Sequence, residues 1–125
     1  MSADKPNKAD FSFDKRVSRR FDHQRAHPAT VSEGIGAAIV AEVRDGGPVL
    51  EIGIGTGRIA GPVVAAGGTV YGLDISLEML AEIGGDVPNL HAFRGDMHGL
   101  PFPDDSFSVV LAVHVLHLTR DWQAV

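Results

Sequence analysis

Three glycines at two-residue spacing, Gly53, Gly55 and Gly57, stand directly after the apolar run Val49-Leu-Glu-Ile52. A glycine turn between a strand and a helix lets the backbone approach a ligand closely. The helix start adds free N–H groups and a positive dipole end. Asp74 ends the next apolar run, 21 residues after Gly53. A carboxylate there is placed to accept hydrogen bonds from ribose hydroxyls. Together these features predict a nucleoside-containing ligand at the carboxyl edge of a parallel sheet. A dinucleotide fingerprint would have glycine where this chain has Arg58, whose side chain would crowd the packing of helix on strand. A phosphate-cradling G-x-x-x-x-G-K-[ST] loop is absent from the sequence. The pattern is Glu51-x-Gly53-x-Gly55-x-Gly57. A tight turn that binds nothing is the plainer reading of the glycines alone, and Asp74 at the end of the second run weighs against it.

Two further constellations carry less. His114 and His117 are three residues apart, and a metal pair would need another carboxylate or histidine nearby. His114 follows a strand's carboxyl end, which leaves three readings: general base, polar filler beside the ligand, or surface histidine. Asp104-Asp105 lies between Pro103 and Ser106 and reads as a turn, not a catalytic pair.

The elements that must position these groups alternate. Residues 1–10 read as a disordered tail, and residues 11–27 as one or two short helices carrying Phe11, Phe13, Val17 and Phe21. Thr30-Val-Ser-Glu33 has the form of a capping box. It predicts a helix with Val31, Ile35, Ala38, Ile39 and Val43 on one face, in which Gly34 and Gly36 would permit close packing. Strands are predicted at 49–52, 69–73, 89–93 and 107–113, with helices over 58–66 and 77–83, the second capped by Ser76. A final helix would begin at Thr119, with Trp122 as an anchor against the sheet. Strands alternating with helices imply a parallel sheet with right-handed crossovers.

The chain has 125 residues, 44% of them hydrophobic, which suits one domain with a sizeable core. It has no cysteine, which excludes a disulfide framework, a thiolate metal site and a cysteine nucleophile. No apolar run is long enough to span a bilayer, and the polar start lacks a signal-peptide stretch. A cytoplasmic protein is expected. The net charge is −5, but residues 1–25 carry +3 and the remainder −8. An acidic body repels phosphate backbones, so no nucleic-acid partner is expected.

Three segments, VLEIGIGTGR (49–58), GLDISLEML (72–80) and GDMHGLPFPDDSF (95–107), resemble the class I S-adenosylmethionine-dependent methyltransferases. The resemblance covers about residues 45–122 and is nearest to the branch containing the ubiquinone and menaquinone C-methyltransferases. It implies a Rossmann-like, doubly wound α/β sheet of order 3-2-1-4 with an N-terminal helical extension. It also implies S-adenosylmethionine as cofactor and a small-molecule methyl acceptor. In that reading the Gly53–Gly57 loop wraps the methionine part of the cofactor, with Glu51 near its amino group. Asp74 takes the ribose hydroxyls, and Ser76 and Met79 border ribose and adenine. Asp96 accepts the adenine amino group, with the Met97 N–H beside the ring. Ala112 and His114 line the methyl-transfer chamber, His114 being the one catalytic candidate. Residues 11–44, including Phe21, Asp22, Arg25 and His27, would form either a lid over the cofactor or plain packed helices. Residues 45–125 would be the cofactor-binding domain.

The sequence departs from the family at Ser108, where an aspartate is frequent, and in length. The family sheet has seven strands, and four are predicted here. The expectation is a domain incomplete at its C-terminal side, with the fourth strand, a doubly buried type, left as an edge. That edge would pair with a second copy or with a separately supplied C-terminal half. Two rival functions stand beside the methyltransferase: a non-catalytic cofactor-binding half domain or fragment, and, more remotely, an NAD-dependent oxidoreductase.

Overall fold

The computed structural model describes residues 28–125. The expected tail and short helices of residues 1–27, and with them the half of the lid segment that holds Phe21, Asp22, Arg25 and His27, lie outside the described residues. The element order is α1 (Ala29–Ala41), β1 (Val49–Ile52), α2 (Ala60–Ala65), β2 (Val70–Asp74), α3 (Leu77–Ala81), β3 (Leu90–Arg94) and β4 (Val109–Ala112). Two 3-10 turns follow, Leu116–Leu118 and Trp122–Ala124. The four strands form one sheet in the order β3-β2-β1-β4, all parallel. This is the predicted Rossmann-like arrangement.

β1 is central, and all four of its residues are buried. Its alternation sends Val49 into one core and Leu50 and Ile52 into the other. On the first face Val49, Val70, Val63, Ala60, Ile54 and Ile59 pack with Ile35, Ile39, Val40 and Val43 of α1 and its end, and with Leu80 and Ile83. On the second face Leu50, Ile52 and Leu73 are covered by Met97, Leu100, Phe102, Phe107 and Val115 from the loops. Aromatic pairs bind that layer: Phe102 meets Phe107 edge-on at 4.8 Å, and Tyr71 stacks on His91 at 4.7 Å.

α1 enters differently from its sequence signature. Pro28 occupies the N-cap position with extended backbone and no side-chain cap, so Thr30 is inside the helix. The Pro28 carbonyl instead accepts from Val31 and Ser32 N–H, both at 3.0 Å. The buried face is also rotated from the expected one. Val31 is 46% exposed and Val40 packs in the core. Gly36 is buried where α1 crosses α2, and a Cβ there would fall on the backbone carbonyl of Pro62. Gly34 has open space around it. Of the two glycines, only Gly36 serves close packing.

β4 is shorter than predicted and half-buried, not doubly buried. Among the described residues it pairs with β1 alone, and Val110, in register with Leu50, is 57% exposed. Its start is pinned by Ser108, whose N–H donates to the Pro48 carbonyl and whose hydroxyl accepts from Arg44 N–H at 2.7 Å. That hydroxyl gives Ser108 a structural task at the position where it departs from the family. Trp122 is not an anchor: the short turn around it leaves the indole 56% exposed. Asp104 and Asp105 form the expected turn, with Asp105 at φ 59°. No helix among the described residues is long and apolar enough to cross a membrane.

Candidate functional site

The carboxyl ends of β1 and β2 meet at the glycine turn. Leu73 of β2 accepts N–H bonds from both Gly53 and Ile54, at 2.8 and 2.9 Å. These bonds bend the chain out of β1 toward α2. Gly53, Gly55 and Gly57 have φ of 70°, 58° and 83°, a region open to glycine and costly for branched side chains. At Gly55 a Cβ would also stand 3.0 Å from the Met79 methyl group.

Asp74 locks this turn. Its Oδ2 accepts the Gly55 N–H at 2.9 Å, and its Oδ1 accepts the Ser76 N–H at 2.9 Å. Partial burial nevertheless raises its carboxyl above the usual range, against those backbone bonds. Ser76 caps α3 as predicted, its hydroxyl accepting from Met79 N–H at 3.2 Å.

Glu51 lies below the turn, 2% exposed. Its Oε1 has no hydrogen-bond partner among the described residues. Burial pushes its carboxyl up to about 8. Arg58 opposes that shift, the nearby Asp74 charge adds to it, and the Ala60 N–H opposes it. A buried acceptor without a donor is a costly feature unless a ligand or water meets it. Glu51 opens onto a cavity of about 60 Å³ lined by Gly53, Ile54, Gly55, Thr56, Arg58, Ile59, Asp74, Met79 and Val113.

Asp96 stands on that edge, two residues beyond β3. Its Oδ1 accepts from the His98 backbone N–H at 2.9 Å and lies 2.7 Å from the His98 ring Nδ1. These contacts, the backbone bond first, hold its carboxyl below the usual range. Met97 turns its side chain into the second core, 8% exposed.

The structure therefore brings Glu51, Gly53, Gly55, Asp74 and Met79 around one cavity. Gly57, Ser76, Asp96, Met97, Ala112 and His114 are not among the residues lining it. His114 is exposed, with φ of 55°, just past β4. Val113 lines the cavity and was missed, although strand alternation puts it on the face of Val109 and Leu111. Arg58, read above as an obstacle to packing, also lines the cavity.

Residues 49–125 match the family model described as a methyltransferase domain. An uncharacterized methyltransferase of Anoxybacillus flavithermus is 28% identical over 78 residues, 62% of this chain and 37% of its own length. The chain thus spans little more than a third of that curated relative. Among solved structures, the CcbJ methyltransferase of Streptomyces caelestis is 31% identical. It superposes with a TM-score of 0.55 over 68% of this chain and 36% of its own. A putative S-adenosyl-L-methionine-dependent methyltransferase of Methanococcus maripaludis shares the fold. Its TM-score is 0.73 at 20% identity, over 99% of this chain and 58% of its own. Because the family match takes in β1, the glycine turn, Asp74, Asp96 and more than half the chain, the chain belongs to the methyltransferase domain family.

Proposed function

We propose that this chain binds S-adenosylmethionine along the carboxyl edge of β1–β3 and serves methyl transfer to a small-molecule nucleophile. The observation that carries the reading is the cavity under the glycine turn, which the buried Glu51 lines and where its Oε1 has no hydrogen-bond partner among the described residues. A cationic amino-acid end fits that space by charge and size. A nucleoside then extends over Asp74 toward Asp96. The family match and the three sequence motifs support the same cofactor.

S-adenosylmethionine supplies, when bound, a sulfonium methyl group that is already electrophilic. The chain's own contribution is placement. The Gly53–Gly57 turn packs its backbone closely against Val115, Met79 and Ile83, and its glycines add no side chain of their own to the ligand side. Glu51 offers its unpartnered oxygen to the ammonium group, and a positive charge there favours the ionised carboxylate. Asp74 accepts the ribose hydroxyls on lone pairs left beside its bonds to the backbone N–H groups of Gly55, Ile75 and Ser76. Met79, 4% exposed and fixed over Gly55, forms an apolar wall, with Ser76 behind it. Asp96 accepts the adenine amino group and Met97 N–H lies beside the ring. Ala112 and His114 border the acceptor side, where His114 is the candidate for taking an acceptor proton. The ubiquinone and menaquinone C-methyltransferase branch is the group whose motifs these segments resemble, and a small-molecule nucleophile is the matching acceptor class.

Isothermal titration with S-adenosylhomocysteine tests the reading. The parent chain is expected to bind. Asp74→Ala is expected to bind at least ~10-fold more weakly, since a charged acceptor contributes roughly 1.5–3 kcal/mol. Part of that loss comes from freeing the Gly55 N–H. A folded parent that does not bind, or an Asp74→Ala variant that binds as well as the parent, contradicts the assignment.

A further inference from the structure

Asp96 is more than a lone carboxylate on the sheet edge. His98 Nδ1 lies 2.7 Å from its Oδ1, and His98 Nε2 lies 2.8 Å from the Thr119 hydroxyl. Thr119 Oγ1 in turn accepts the Asp121 N–H at 3.3 Å. With a neutral ring one assignment of protons satisfies all of these contacts, and a doubly protonated ring, donating from Nε2 to Thr119 Oγ1, would keep the same bond to Asp96. In the neutral form Asp121 N–H donates to Thr119, the Thr119 hydroxyl donates to His98 Nε2, and His98 Nδ1–H donates to Asp96. The tautomer is assigned from the network. The chain joins the loop after β3 to the segment after β4, across 21 residues of sequence between His98 and Thr119.

The direction of the chain matters for recognition. Both His98 bonds fall on Oδ1 of Asp96. They fix the rotation of a carboxylate whose side chain is 53% exposed and would otherwise turn freely. Oδ2 is then the oxygen available to a ligand donor. A pre-aimed acceptor discriminates between a ligand that carries a donor and one that does not, because its orientation entropy is already spent. An exposed ion pair alone would do little. Here the ring is held at both nitrogens, and the backbone N–H of the same residue grips the same oxygen.

We propose that His98 is a positioning residue for base recognition: the Asp96–His98–Thr119 chain holds Asp96 Oδ2 toward the exocyclic amino group of a bound purine. The proposal rests on the reading of Asp96 given above. It adds that this selectivity depends on a histidine and on a threonine from the opposite loop. The carboxylate alone does not set it.

The test compares S-adenosylhomocysteine with S-nebularinylhomocysteine, in which hydrogen replaces the purine amino group and the ring nitrogens are unchanged, by isothermal titration. The parent is expected to prefer the adenosyl ligand by ~10-fold or more. His98→Ala should lose most of that preference, through the adenosyl ligand alone. His98→Asn, which keeps a side-chain N–H near the Nδ1 position, should recover much of it. Thr119→Val should lose part of it. If His98→Ala weakens both ligands by one factor, or neither, the positioning role is overturned while the cofactor reading stands. A parent that binds both ligands equally overturns the Asp96 contact and this proposal together, again sparing the cofactor. A parent that binds neither overturns the cofactor reading itself. Should His98→Ala fail to fold, His98→Asn and Thr119→Val carry the same comparison.

Discussion

Unfolding free energy is expected to fall as pH rises from about 4.5 to about 8, and Glu51 to be the main cause. Its carboxyl titrates near 4.5 when exposed and at about 8 in the folded chain. Between those values the folded state holds a proton that the unfolded state has released, so raising the pH favours unfolding. The stability linked to this group is therefore complete below about 4.5 and gone above about 8. At 1.36 kcal/mol per pH unit the full swing is on the order of 4–5 kcal/mol. Asp74, also raised by burial, pushes in the same direction. Glu51→Gln keeps the shape and removes the titration. Its urea stability should resemble the parent's at pH 5 and exceed it by a widening margin toward pH 8. Parallel pH profiles for parent and variant would show that Glu51 does not hold its proton in the fold.

Gly36→Ala is the second large effect. In an exposed helix the change would add up to ~1 kcal/mol of stability. At Gly36 the new methyl group meets the Pro62 carbonyl, a backbone atom that cannot rotate away. Pro62 lies in the first turn of α2, so the whole short helix must shift. Overpacking of this kind costs typically 1–3 kcal/mol, occasionally more. With rigid backbone as the obstacle, a net loss of roughly 2 kcal/mol is expected. Gly34→Ala, two residues away with nothing near its Cβ, is the matched control and should gain stability. Thermal melts of the two variants check the pair, and equal stability would mean that α1 slides past α2 without resistance.

The glycine turn and Asp74 were legible because their physics is local. Positive φ demands glycine within a few residues, and a strand's last side chain lies at the ligand edge by geometry alone. The strand order followed from alternation of strands and helices together with the family resemblance. The capping box at Thr30 misled because Pro28 supplies an extended N-cap conformation and its carbonyl takes the first free N–H groups. Local pattern cannot say which of two adjacent starts a helix will use. Val113 was within reach of period-2 counting from Val109, which would have preferred it to Ala112 and His114. Glu51 could be placed at the site, but its unpartnered oxygen depends on where Arg58, Asp74 and the Ala60 N–H come to rest. His98 and Thr119 were beyond sequence reading because their meeting depends on how two loops on different strands fold over the edge.

Among the described residues β4 pairs with β1 alone, and β1 is far away in the chain. The connection from Ile52 to Val70 closes a short loop, whereas Val109 must return to β1 after more than three times as many residues. The added chain entropy is worth roughly 1 kcal/mol, and no second strand among those described shares the burden. β1 and β2 are thus expected to form the early nucleus of the sheet, with β4 the last strand to join and the first to leave. Its hold begins at Ser108, through the Arg44 and Pro48 contacts, and unzips from the Ala112 end. Amide exchange should read this order directly: the β4 amides facing β1 should exchange sooner than those between β1 and β2. The strand that leads to Val113, at the cavity wall, is then expected to be the breathing part of the sheet.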